Sequence, residues 1–450
     1  MRRFAAIALL GAATSAAAQL HLPQVQLPQV QLPPAPLQVP RLPSTPDLTT
    51  VPNTVVRGAQ IALDPGDLLD VRRLAIRDRL RQHRDVLESD PAGELIVRNE
   101  VMVIAPSAAA LDAARAAGFT ILADHAISGG DVRSVVLRTP RGVATAVALS
   151  RLRSLDPKGQ YDFNHVYLPA GGAIAESSGS RGALVPPAHA AAQGSRAKIG
   201  LIDGGVDLRH PALRAADIRT SGCNARPVSS VHGTAIASLL VGRARGFGGA
   251  AQSATLYAAD VYCNSPAGGT AARIVEALAW MAREQVPVIN ISLVGPANRA
   301  LESALRTLIS RGHVIVAAVG NDGPASPPLY PAAYPDVIGV TAVDVRKQVL
   351  PEAVRGPHVA FSAPGAEMAV AANGESGFSR ARGTSFASPL VAGLLAVAYD
   401  AAGGLQADAS RRALEALIQD SVDLGPPGRD PTYGHGLVGE RLRVDPVALR

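Results

Sequence analysis

At 450 residues, 47% hydrophobic but only 4% aromatic, the chain is long for a single domain and must fill its cores with Ala, Val and Leu. A formal charge of +6 and a pI near 9.6 would suit nucleic acid, yet only three of the 43 basic residues are lysine: Lys158, Lys198 and Lys347. That skew is a compositional habit, and with no basic run interleaved with aromatics it excludes nucleic acid as a partner class.

Met1-Arg2-Arg3, the apolar run Phe4 to Ala13 and Ala16-Ala17-Ala18 read as a secretory signal over residues 1–18 with an A-x-A cleavage site. The run is too short to span a bilayer. No membrane span is expected, and the product belongs in a periplasm or outside the cell. Cleavage after Ala18 exposes Gln19, not the cysteine a lipid anchor needs. Residues 19–57 contain the repeat LPQVQLPQVQLPP; proline removes backbone donors and fixes φ, so this is an extended spacer. Residues 58–92 form a helical segment. In it, Asp67 to Glu88 carries Leu68, Val71, Ala75, Leu80 and Leu87 among six arginines, a solvated helix packed on its neighbour in preference to a membrane-surface helix.

Residues 93–169 become domain-like. Leu95 to Ile104 predicts a strand, Ser107 to Ala117 a helix ending at Gly118, and Thr120 to Ala123 and Val132 to Leu137 two strands. Gly142 to Leu155 follows as a helix and Phe163 to Leu168 as a last strand. The order β-α-β-β-α-β is a ferredoxin-like plan. Residues 170–194 (AGGAIAESSGSRGALVPP and onward) are a linker by composition, open to proteolysis.

Beyond it, strand-like runs at Lys198 to Ile202, Thr255 to Val261, Val286 to Ile291, Val314 to Val319 and Val337 to Val343 alternate with helical patterns at Ala271 to Arg283 and Asn298 to Ser310. Such alternation predicts an α/β fold, a mainly parallel sheet with helices on both faces. Sites in these folds lie beyond the C-terminal strand ends. Asp203, Asn290 and Asn321 all fall there.

The chemistry is carried by three stretches. Ala197 to Asp203 is a buried strand ending in a carboxylate. Val231-His232-Gly233-Thr234 opens an apolar helical run, and Gly383-Thr384-Ser385 opens another, Leu390 to Tyr399. A serine at a helix N-terminus has unpaired N–H groups beside it that favour a developing oxyanion, and Pro389 is expected in the first turn, where no N–H is needed. A Gly-Thr-Ser triplet alone reads equally as a helix cap. Together, Asp203, His232 and Ser385 supply an orienting carboxylate, a general base and a nucleophile, in the chain order Asp, His, Ser. Cys223 and Cys263, the only cysteines, would pair in an oxidising compartment, the alternative being two free thiols.

The motifs IDGGVDLRHPAL around Asp203, HGTAIAS around His232, INISL at 289–293, AAVGNDG around Asn321 and GTSFASPLVAG around Ser385 resemble, in this order, those of the subtilisin-like serine proteases, the subtilases. The resemblance implies a catalytic domain over 195–445 and a triad of Asp203, His232 and Ser385. It also implies an oxyanion donor in Asn321 and substrate binding by Ser292, Leu293, Val294, Ala317, Ala318 and Gly320. It makes 93–169 a propeptide, an intramolecular inhibitor whose last strand, near Tyr161 to Ala170, lies in the groove until cut between about Tyr161 and Gly194. The substrates would be polypeptides and the product a monomer. No cofactor is expected: calcium is frequent in the family, but no acidic loop here specifies it. Departures from the pattern are Ala235 for a second His, Ser238 for a Gly, Val294 for a Gly, which is expected to narrow the pocket mouth, and Phe386 for a Met. Two rivals are a silent peptide-binding scaffold and an esterase; the latter lacks a G-x-S-x-G elbow.

Overall fold

A computed structural model describes residues 65–126, 133–170, 173–175, 197–372, 377–405 and 407–449. The signal (1–18), the spacer (19–57), residues 58–64 and most of the 170–194 linker lie outside the described residues.

Helix α1 (Pro65–Gln82) leads into β1 (Leu87–Ser89), β2 (Leu95–Ile104), α2 (Ala108–Ala116), β3 (Thr120–Ala126), β4 (Arg133–Arg138), α3 (Thr145–Leu155) and β5 (Gln160–His165). The strands form an antiparallel sheet in the order β3-β4-β2-β5, with β1 paired to the start of β2. The ferredoxin-like plan is thus realised. Ser107 caps α2 by accepting from the Ala110 N–H at 3.1 Å. The two-residue period of β2 divides its side chains. Val101 and Val103 pack with Leu111, Ala114, Leu149 and Leu152 of α2 and α3, whereas Met102 and Ile104 face the other way, into an apolar cluster shared with the rest of the chain.

The larger part comprises β6 (Leu168–Pro169), β7 (Ala173–Ala175), β8 (Lys198–Asp203), β9 (Ile218–Ser221), α4 (Val231–Val241), β10 (Arg243–Ala244), β11 (Phe247–Gly248), β12 (Thr255–Asp260), α5 (Ala271–Arg283), β13 (Val288–Ile291) and β14 (Leu293–Val294). It continues with α6 (Arg299–Ser310), β15 (Val314–Ala318), β16 (Ile338–Val343), β17 (Val359–Pro364), β18 (Met368–Ala371), β19 (Phe378–Arg382), α7 (Thr384–Ala401) and α8 (Ala407–Asp420). Seven strands, all parallel, lie in the order β17-β16-β15-β13-β8-β12-β9. Residues of α4, α7 and α8 build the core on one face, and those of α5 and α6 the core on the other.

Two outer strands, β9 and β17, escaped the sequence reading. β9 is a four-residue edge with its two middle side chains exposed, so it lacks the apolar run that marks a buried parallel strand. Helix α7 is long and apolar enough to cross a membrane, but 72% of it is buried inside the protein. It is the core helix of the sheet.

The small antiparallel sheet packs on α5 and α6. Its residues finish those helices' N-termini: Asn164 Oδ1 accepts from the Ala272 N–H at 3.2 Å, and Asp162 Oδ2 from the Arg299 N–H at 2.8 Å. A carboxylate at the positive end of a helix is stabilising.

Candidate active site

Asp203 is the last residue of β8 and fully buried. Its Oδ1 accepts from the Gly204 N–H at 2.7 Å, and His232 Nδ1 lies 2.9 and 2.8 Å from its two carboxylate oxygens. His232 reaches it from the first turn of α4, which Ser230 caps by accepting from the Gly233 N–H. Helix α4 packs against α7, setting the imidazole beside the first turn of α7, with its ring centroid 5.7 Å from that of Phe386. Ser385 is the second residue of α7. The structure joins Asp203 to His232 directly. It does not join His232 to Ser385: Nε2 and Oγ are both buried, and among the described residues neither has a hydrogen-bond partner. Such contacts are often loose outside the reacting complex.

Pro389 lies in the second turn of α7, not in the first as expected, because the helix begins at Thr384. The proline has no N–H for the Ser385 carbonyl four residues back. Ser292 Oγ replaces it, donating to Ser385 O at 3.2 Å, while Asn290 Nδ2 donates to Ser292 Oγ at 2.9 Å and Ser388 Oγ stands 3.0 Å away. This buried brace behind the serine was missed by the sequence reading; the proline inside an apolar helix was the available signal. Asn321 is held on the other side. Its Oδ1 accepts from the Thr384 N–H at 3.1 Å, and Thr384 Oγ1 accepts from the Gly320 N–H at 3.2 Å, which turns the Asn321 amide N–H groups toward the groove.

The departures from the motif pattern are absorbed locally. Ser238 Oγ donates to Ala235 O at 2.7 Å and accepts from the Ala371 N–H at 3.0 Å, tying α4 to β18. Phe386 is fully buried.

The groove holds the chain's own residues Val166 to Ala170. The Tyr167 N–H donates to Gly269 O at 2.8 Å, and the Tyr262 hydroxyl donates to Tyr167 O at 3.0 Å. Strand β6 then pairs antiparallel with β14, Leu168 opposite Val294 and Pro169 opposite Leu293. The Ala170 N–H donates to Ser292 O at 2.9 Å, and Asn321 Nδ2 donates to Ala170 O. Gln160 to His165, by contrast, belong to the small sheet, so only the end of the expected segment enters the groove. The Tyr167 ring is fully buried, its hydroxyl donating to Pro296 O at 2.7 Å. Burial pushes the Tyr167 and Tyr262 phenols well above their usual range, so both act as neutral donors. Gly295 permits the fit: a β-carbon there would stand 2.7 Å from the Tyr167 ring.

Strand β7 pairs antiparallel with β19, the strand that precedes α7. On the outer side of the bound strand, Ile76 and Leu80 of α1 pack with Val166 and Leu168. Arg72 of α1 stands 3.0 Å from Glu94 and 3.5 Å from Asp322, the neighbour of Asn321. Helix α1 thus covers the strand that fills the groove.

Cys223 and Cys263 form a disulfide across a sequence separation of 40. Asp260 lies between them: its Oδ1 accepts from the Tyr262 and Cys263 N–H groups and its Oδ2 from that of Val228. The bond therefore anchors the loop that bears Tyr262. Replacing both cysteines by serine is expected to lower stability by up to about 4 kcal/mol, the loop-closure term for this separation, as read by denaturant unfolding without reductant.

A family model described as the subtilase family (Peptidase_S8) matches residues 194–436, more than half of the chain. Subtilisin DY of Bacillus licheniformis is 33% identical over 262 residues, 55% of this chain and 90% of that protein. Subtilisin E of Bacillus subtilis (strain 168) is 34% identical over 213 residues, 45% and 55% of the two chains. The minor extracellular protease Epr of the same strain is 29% identical over 250 residues, 54% of this chain but 38% of its own. The match thus spans about half or less of the length of some relatives. The fold is similar to that of fervidolysin from Fervidobacterium pennivorans, described as a keratinolytic enzyme related to subtilisin, with a TM-score of 0.62 at 19% identity over 78% of this chain and 61% of that one. A family match over more than half of the sequence, and a relative matched over nine-tenths of its length, place this chain in the subtilase family, as a subtilisin-like member.

Proposed function

We propose that the protein is an exported serine endopeptidase made as a self-inhibited precursor, with Asp203, His232 and Ser385 as its triad and Asn321 as an oxyanion donor. One observation carries the reading: the Ala170 carbonyl lies on the Asn321 amide while the Ala170 N–H is held by Ser292 O. A peptide to be cut must be held in this way, its N-terminal side added as a strand to β14 and its carbonyl presented to the donor. The residues before Ala170 are the inhibitor, and the bond from Ala170 to Gly171 is the one the precursor cuts.

His232 Nε2 takes the Ser385 hydroxyl proton as Oγ attacks the carbonyl carbon. The negative oxygen is received by the Asn321 side-chain N–H and by the Ser385 backbone N–H, which has no intrahelical partner in the first turn. Asp203 holds the imidazole in the tautomer with the proton on Nδ1 and stabilises its charged form. Collapse breaks the C–N bond, with the proton passing from His232 to the departing amine, and leaves an ester on Ser385. Water, deprotonated by His232, then attacks that ester; the bond from the acyl carbon to Ser385 Oγ breaks, His232 returns the proton to Oγ, and the acid is freed. Export is supported by the residue 1–18 pattern and by the disulfide.

A fluorophosphonate probe tests the assignment: it labels the mature wild-type protein, which also cuts casein, and fails on Ser385→Ala. A protein that neither labels nor cuts would be a scaffold. Asn321→Ala is expected to lower kcat by about 10²–10³-fold with little change in KM, because the donor meets charge that exists only after attack; steady-state kinetics on one peptide check this.

A further inference from the structure

We infer that the pocket receiving the side chain before the scissile bond is closed at its base by Leu329 and Val294, so the enzyme cuts after alanine and comparably small residues and rejects large ones. The inference rests on the protease reading above and specifies its substrate class.

Ala170 marks the pocket, since its N–H and carbonyl are held by Ser292 and Asn321. One wall is β14, whose Val294 opposes Leu168. The other is the segment through Gly320, just before Asn321. Between them runs the loop carrying Leu329, fastened to the first wall by two backbone bonds: the Gly295 N–H to Tyr330 O at 2.9 Å and the Tyr330 N–H to Gly295 O at 3.0 Å. Gly320 has φ +101°, and a β-carbon built on it would stand 2.5 Å from Leu329 Cδ1 and 3.5 Å from Val294 Cγ1. Two branched side chains therefore converge where the walls meet. They pack in one cluster with Ala170, which is 2% exposed, Val294 being 2% and Leu329 6% exposed.

A methyl group fits this space. A leucine or phenylalanine ring would have to displace side chains pinned by the Gly295–Tyr330 pairing, and overfilling a close-packed pocket forces strained rotamers. The chain's own groove-filling strand, Tyr167-Leu168-Pro169-Ala170, places an alanine at this position.

The test uses mature enzyme and internally quenched peptides that share Tyr-Leu-Pro ahead of a varied residue, Ala, Val, Leu or Phe. Wild type is expected to give kcat/KM for Ala at least about a hundredfold above that for Phe, since apolar pockets discriminate strongly by size when the larger group does not fit. Leu329→Ala and Val294→Ala, made separately in case either folds poorly and checked by fluorophosphonate labelling, are each expected to raise the Phe value at least about tenfold. Wild-type enzyme that labels and cuts Phe as fast as Ala overturns the inference and leaves the protease reading standing. The same holds if both variants label but keep the wild-type preference. A wild-type protein that neither labels nor cuts any of the four overturns both.

Discussion

Precursor carrying Ser385→Ala is expected to stay joined between Ala170 and Gly171 after purification, whereas wild-type precursor separates there. Intact-mass analysis reads both, and in the wild type the new N-terminus is Gly171. The Ala170 carbonyl already lies on Asn321 Nδ2 and its N–H on Ser292 O, so the bond is positioned and only the nucleophile is removed. Hydrolysis of an added peptide should fall by on the order of 10⁶-fold, because the members of such a triad act as a unit and losing the nucleophile forfeits nearly all of their joint effect. What remains is binding and the oxyanion donor. If the variant, alone in solution, is trimmed at the same bond, the cut is made by another protease.

Tyr167→Ala should release the groove. The ring is fully buried, with its hydroxyl on Pro296 O at 2.7 Å, and truncating a buried aromatic typically costs about 3–5 kcal/mol. Spent on the grip of the cut strand, that corresponds to a loss of inhibitory affinity of about 10²–10⁴-fold. Casein hydrolysis should therefore appear much sooner after the precursor is cut. Tyr167→Phe keeps the ring and loses one hydrogen bond, about 1 kcal/mol, and should sit near wild type. An unchanged lag in Tyr167→Ala would show that the grip resides elsewhere, with the Ile76 and Leu80 face of α1 the next place to look.

The proposed chemistry was legible because each member stands at the end of an element that local pattern marks. Asp203 ends an apolar strand, while His232 and Ser385 open apolar helices. Asn321 follows another strand. The small sheet was legible for the same reason: β2, α2, β3, β4 and α3 lie close to the predicted runs, whereas its last strand is Gln160–His165 and not Phe163 to Leu168, because Leu168 and Pro169 leave the sheet to pair with β14. The brace of Asn290, Ser292 and Ser388 was not, since it exists only because Pro389 falls one turn later in α7 than expected and leaves a carbonyl to be satisfied. Leu329 was also hidden, in a loop with no periodicity, its importance arising from the Gly295–Tyr330 pairing.

By itself the sequence pointed to the small sheet, the parallel sheet and the residues proposed to do the chemistry, because those depend on periodicity and on short motifs within single elements. Only the tertiary structure decided that Ala170 is the residue presented to Asn321, that α1 covers the strand before it, and that Leu329 and Val294 meet below it. Each of these is a contact between segments far apart in the chain, the first two set by how the small sheet docks on α5 and α6 and the third by the Gly295–Tyr330 pairing, and no local pattern of residues encodes a register that tertiary contact fixes.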